Sequence, residues 1–107
     1  MTDKYNKLVR DRIPEIIKQR GDIPTVEILG AADYYASLNK KLQEELDEYL
    51  QDYSVEELAD IVEVIYAIVR YKGISISDFE QIRLDKNAKR GCFDKRIALI
   101  KVERKPT

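Results

Sequence analysis

The sequence predicts a mainly α protein, a helical bundle forming one domain over residues 1–107, to which a short peripheral β pair (25–29 with 97–102) can be added. Three observations carry that class. Leu38, Leu42, Leu46, Tyr49 and Tyr53 recur at spacings of four and three, which marks one apolar helical face. Ile61–Val69 is apolar nearly all round and follows Ser54-Val55-Glu56-Glu57, a capping box with Ser54 as N-cap and Glu57 at N3. Ser75 or Ser77 at one end and Gly91 at the other bracket a third long helix.

The elements follow in order. Residues 5–13 are mixed basic and apolar, and Pro14 suits the first turn of a short helix, Glu15–Arg20, that Gly21 ends. Asp22 to Pro24 reads as a turn. Thr25–Leu29 can extend, with Val26 and Ile28 on one side, before Gly30 closes the segment. The first long helix should run from about Ala32 to Tyr49 or Leu50, the second from Ser54 to before Gly73, and the third to Arg90. Ile97–Val102 reads as a strand that would pair with Thr25–Leu29. The apolar run of the second long helix needs cover on more than one side, so a homo-oligomer is expected.

Composition narrows the chemistry. A net charge of −1 argues against a dedicated nucleic-acid binder. No apolar leader opens the chain and no stretch reaches membrane-spanning length, so a cytoplasmic protein without membrane partners is expected. Histidine is absent and Cys92 is the one cysteine, which removes the usual imidazole base, the Ser-His and Cys-His pairs, and an ordinary zinc site. The glycines are scattered singly, so a phosphate-binding glycine loop fails as well. Catalysis would fall to carboxylates, Lys, Arg, Tyr and a hard metal ion.

The carboxylates are patterned for that role. Glu45/Glu48 and Glu57/Asp60 are pairs three residues apart on successive helices, each pair on one helical face. If the helices fold back on each other, four acids converge, and a cation such as Mg²⁺ is what stabilises such a cluster. At ~100° per position, Glu45 falls beside the apolar stripe with Glu48 and Lys41 on its flank, while Glu44 and Asp47 point away. A carboxylate there loses several kcal/mol of solvation (roughly) unless a cation or hydrogen bonds compensate it. The bland reading is a solvated face of Lys40–Glu44 and Lys41–Glu45 pairs. Glu57 has its own rival role at N3 of the capping box. Glu63 is either a fifth acid near the metal or a water-facing charge.

Basic residues fill out the set. Arg83, Lys86 and Arg90 share one face of the third long helix and suit phosphate oxygens, against the alternative of an exposed face that balances the acids. Lys7, Arg10 and Arg12 divide between the same two readings. Tyr34, Tyr35, Tyr49, Tyr53 and Tyr66 are core or interface residues by type, with base stacking the functional alternative.

Glu44-Glu45-x-x-Glu48 followed by Glu57-x-x-Asp60 resembles the paired acidic signature of the all-α nucleotide pyrophosphohydrolases, the MazG-like superfamily that includes phosphoribosyl-ATP pyrophosphohydrolase and the dimeric dUTP and dCTP pyrophosphatases. The flanks, Tyr5-Asn6-Lys7-Leu8-Val9-Arg10-Asp11-Arg12-Ile13-Pro14-Glu15-Ile16-Ile17 and Lys89-Arg90-Gly91-Cys92-Phe93-Asp94-Lys95-Arg96-Ile97, are similar to a small MazG-like subgroup. The resemblance implies a dimeric or tetrameric helical bundle that binds Mg²⁺, with Mn²⁺ able to substitute, and hydrolyses a nucleoside triphosphate between its α and β phosphates. It implies Glu45, Glu48, Glu57 and Asp60 as metal ligands. Glu44 and Glu45, with Lys86 and Arg90, are then the catalytic candidates, and Lys7, Arg10, Lys41 and Arg83 the substrate-binding ones. Two departures stand out: the connection Tyr49 to Glu56 is shorter than the family's usual one, and Cys92 stands where related sequences often have a second glycine.

The resemblance implies Mg²⁺-dependent pyrophosphohydrolysis, a house-cleaning activity on non-canonical or excess nucleotides. Phosphoribosyl-ATP hydrolysis, a Mg²⁺- or nucleotide-binding module without turnover, and a purely structural dimerisation domain are the competing expectations.

Overall fold

Four helices follow one another in the computed structural model, which describes residues 1–3 and 5–106: α1 (Ile13–Gln19), α2 (Ala31–Asp52), α3 (Val55–Tyr71) and α4 (Ile76–Arg90). Lys4 and Thr107 lie outside the described residues. The chain divides into two units, Met1–Ser75 with α1 to α3 and Ile76–Thr107 with α4. The mainly α expectation holds. The β pair does not form: 25–29 and 97–102 adopt no strand, and the described residues contain none. The physical reason is exposure. Ile28 and Ile97 are 92% and 81% exposed, so neither segment has an apolar face to rest on, and two strands alone are marginal in water.

α1 begins two residues earlier than its expected Glu15 start, because Arg12 already serves as N-cap and Pro14 occupies the first turn. Gly21 follows with φ of 91°, a left-handed turn that a side chain would strain, and donates to the Lys18 carbonyl at 3.0 Å.

α2 and α3 form an antiparallel helical hairpin, the packed pair of the first unit. α2 runs past the expected Leu50 to Asp52 and stops because Tyr53 turns left-handed, φ 54°, its N–H reaching the Tyr49 carbonyl at 2.7 Å. Ser54 then caps α3, accepting from the Glu57 N–H at 3.3 Å, so Tyr53 and Ser54 alone connect the two helices. The sequence signal for that cap was correct. Ser54→Ala should cost about 1 kcal/mol by urea denaturation, since one N–H of the first turn loses its acceptor.

The packing corrects the expected stripe. Leu38 is the most buried apolar side chain, 2% exposed, and Glu45, seven residues on and on the same face, is 7% exposed. The buried line of α2 therefore passes through Leu38 and Glu45, and the far edge of the stripe, Leu46 and Tyr53, lies exposed with Leu50. On α3, Val69 is buried while Val55, Leu58 and Val62, which share one face, remain exposed. Away from the two-residue connection, Tyr35 stacks on Tyr71 at 4.7 Å, Tyr34 meets Tyr71 edge-on at 6.0 Å, and the Lys72 ammonium covers Tyr35. Tyr49 and Tyr53 meet edge-on at 5.8 Å beside the turn.

Ser75 immediately precedes α4, and in the second unit Gly91, φ 81°, ends that helix by donating to the Asn87 carbonyl at 2.8 Å. Beyond it, Cys92, Phe93, Lys95, Arg96 and Ile97 line a small depression of 170 Å³. No helix is long and apolar enough to cross a membrane among the described residues.

Candidate metal centre

The hairpin turn decides the site. A two-residue connection leaves the last turns of α2 facing the first turns of α3, so acids placed late on one helix and early on the other meet. Carboxylate oxygens of Glu45, Glu57 and Asp60 lie within 4.8 Å of one another. That spacing suits several oxygens ligating one cation.

Burial sharpens the geometry. The Glu45 side chain is only 9% exposed; Lys41, one turn before it, pairs with Oε1 at 3.4 Å. Its Oε2 is enclosed and has no hydrogen-bond partner, and the same holds for Glu57 Oε2. Two orphaned carboxylate oxygens in one cluster are costly, because each has given up water without gaining a donor. Glu57 keeps its backbone N–H on Ser54 while its carboxylate joins the other acids, so the capping role accounts for half of the residue and not for the carboxylate.

The electrostatics follow. Burial pushes the Glu45 carboxyl above its usual range, and the charges of Glu48 and Asp60 add to this, with Lys41 opposing. Glu57 is raised as well, by burial and then by Asp60, while a hydrogen bond shared with Glu48 works in the opposite direction. Glu48 therefore stands beside the three converging acids and interacts with both raised carboxyls. These are like charges held together without a sufficient counter-charge, the situation a divalent ion relieves.

Glu44 behaves differently. It lies outside the converging group and takes Lys7 at 3.2 Å and Lys41 at 3.3 Å. Burial would raise its carboxyl, but the hydrogen bonds and charges of the two lysines outweigh that and hold it low. Glu63 is exposed and not among the converging acids.

Of the basic candidates, Lys7, Arg10 and Lys41 border the acids. Arg10 donates to Asp60 Oδ1 at 2.5 Å, across fifty positions of sequence. Nothing in the sequence marked that pair, since long-range charge partners leave no periodic signal. Arg83, Lys86 and Arg90 belong to α4 in the second unit, where Arg83 is engaged by Glu80 at 2.7 Å. An open groove of 390 Å³ runs along α2, lined by Lys40, Gln43, Glu44, Asp47, Glu48 and Gln51, so Glu48 borders both the groove and the acid cluster.

No protein-family model matches the chain. No solved structure matches it. An uncharacterized protein of Mycolicibacterium smegmatis is 48% identical over 42 residues, a stretch that covers 39% of this chain and 43% of the relative.

Proposed function

We propose that this chain is a Mg²⁺-dependent nucleoside triphosphate pyrophosphohydrolase of the MazG-like type, cleaving between the α and β phosphates to give a nucleoside monophosphate and pyrophosphate. The observation that carries the reading is the buried, unpartnered Oε2 of Glu45 in a cluster with Glu57 and Asp60. An isolated surface acid needs no cation, whereas a buried acid beside two others is relieved by one.

Glu45, Glu57 and Asp60 would hold the ion, with Glu48 alongside. A bound ion supplies charge neutralisation for the triphosphate and a water of lowered pKa. The chain's own residues do the rest. Arg10, Lys7 and Lys41 border the acids and offer donors to phosphate oxygens. One carboxylate of the acidic signature would accept the proton of the attacking water. Lys86 and Arg90 remain candidates for the charge on the leaving pyrophosphate and Arg83 for phosphate oxygens, on the ground of the one basic face they share on α4.

A homodimer or homotetramer in the cytoplasm completes the proposal. Its support is the exposed apolar face of α3, Val55, Leu58 and Val62, together with Leu46, Leu50 and Tyr53 of α2. A second copy would cover these side chains.

The test is purified protein incubated with Mg²⁺ and a panel of canonical, deoxy and damaged nucleoside triphosphates, with pyrophosphate release as the readout. Release from at least one nucleotide, abolished by Asp60→Asn, is the expected result. No release from any of them sinks the enzymatic reading. The two-residue connection favours one other reading, a binding module without turnover. It would give Mg²⁺-dependent nucleotide binding with no product.

A further inference from the structure

Arg10 occupies one of the acids that the candidate metal site would need. Its guanidinium donates to Asp60 at 2.5 Å, and Asp60 is one of the three acids whose oxygens converge. A dication among those acids would lie within one carboxylate of the guanidinium charge, and the two like charges would repel, weakened by the exposure of the pair. The Arg10 side chain is 57% exposed, so it can swing into water without opening the core. Lys41 has no such freedom: it lies on the same helix as Glu45, one turn away, and is 18% exposed. Lys7 is engaged with Glu44, outside the converging group.

We propose that Arg10 is a displaceable internal counter-ion. In the metal-free chain it neutralises Asp60. When a divalent cation enters, the pair loosens and the guanidinium turns outward, where it binds the phosphate groups of an anionic ligand. Metal loading thereby prepares the phosphate site, and the order of binding is metal first, polyphosphate second. This rests on the metal-site reading above and adds to it a coupling between cation and anion through one side chain.

The experiment measures Mn²⁺ binding to the full chain by electron paramagnetic resonance, then inorganic tripolyphosphate binding to the Mn²⁺-saturated protein by calorimetry. Wild type, Arg10→Gln and Arg10→Lys are compared. Because the pair is half exposed, R10Q should bind Mn²⁺ only about two- to fivefold more tightly than wild type. Its tripolyphosphate affinity should fall about tenfold, the scale of a lost charge-assisted hydrogen bond. R10K keeps the charge and should match wild type for Mn²⁺ while recovering part of the tripolyphosphate binding. Unchanged or weaker Mn²⁺ binding by R10Q overturns the proposal, as does unchanged tripolyphosphate binding; either leaves the metal site standing. If wild type binds no Mn²⁺, the metal site itself is wrong and the coupling falls with it.

Discussion

Glu45→Gln is expected to erase the response of this protein to divalent metal while making the metal-free chain more stable. The two effects share one cause. Glu45 is 7% exposed and carries an unpartnered carboxylate oxygen, so its charge is a burden on the folded state until a cation arrives. The amide keeps the volume and discards the charge. Wild type held at Mg²⁺ about a hundredfold above its dissociation constant should gain about 2.7 kcal/mol, seen as a rise in melting temperature, and the variant should gain almost none of it. Pyrophosphate release should fall on the order of a hundredfold or more.

The same residue sets a pH signature. Glu45 and Glu57 are raised above their ordinary value of 4.5 in the folded chain, by burial first and by neighbouring acids second. A raised acid holds its proton more tightly folded than unfolded. With chelator present, stability should therefore fall as pH rises from 4.5 through the raised values, because the unfolded chain ionises first. Glu44 has the opposite sign: the Lys7 and Lys41 contacts hold it low, so its contribution is present above 4.5 and lost as pH falls through its folded value. E45Q should flatten the fall above 4.5, leaving the Glu57 part. A variant less stable than wild type without metal, yet equally responsive to Mg²⁺, would show that Glu45 is a structural residue and that the ion sits elsewhere.

How far the sequence reveals this site depends on the residue. Glu45 was legible because its helical angle can be reckoned against Leu38 and Leu42. Glu57 and Asp60 were legible because the Ser54 cap fixes where α3 starts, and a fixed start fixes the faces. The stripe was less legible. Leu46 and Tyr53 extend it in sequence, yet α3 packs along the line through Leu38 and Glu45, since hydrophobic spacing marks an apolar face without saying which part of it a neighbour covers. The β pair at 25–29 and 97–102 was a pattern without a support. Local alternation proposes a strand, but only a packed face retains it. Arg10 was visible as a charge and invisible as the partner of Asp60, because that contact depends on where the N-terminal segment crosses the hairpin.

Leu38→Ala is expected to give the largest loss of folding stability of any single truncation, about 2–5 kcal/mol. Leu38 is the apolar side chain most completely withdrawn from water, 2% exposed, and the first unit encloses few others to that degree. Removing most of its side chain leaves a void between α2 and α3 that α2 can fill only by shifting along the interface. A domain of this size is held by about 5–15 kcal/mol in all, so the urea midpoint should move by about 1–2 M. The acids should suffer less than the fold. Leu38 lies seven positions from Glu45, and the two-residue connection at the far end of the hairpin still sets where Glu45 and Asp60 meet. At urea concentrations where L38A is still folded, its melting temperature should therefore keep rising with Mg²⁺. Running the titration at two protein concentrations separates two sources of stability. A fixed loss at both places the cohesion within the hairpin. A loss below about 1 kcal/mol in a chain whose midpoint climbs with concentration would place it between copies, across Val55, Leu58 and Val62.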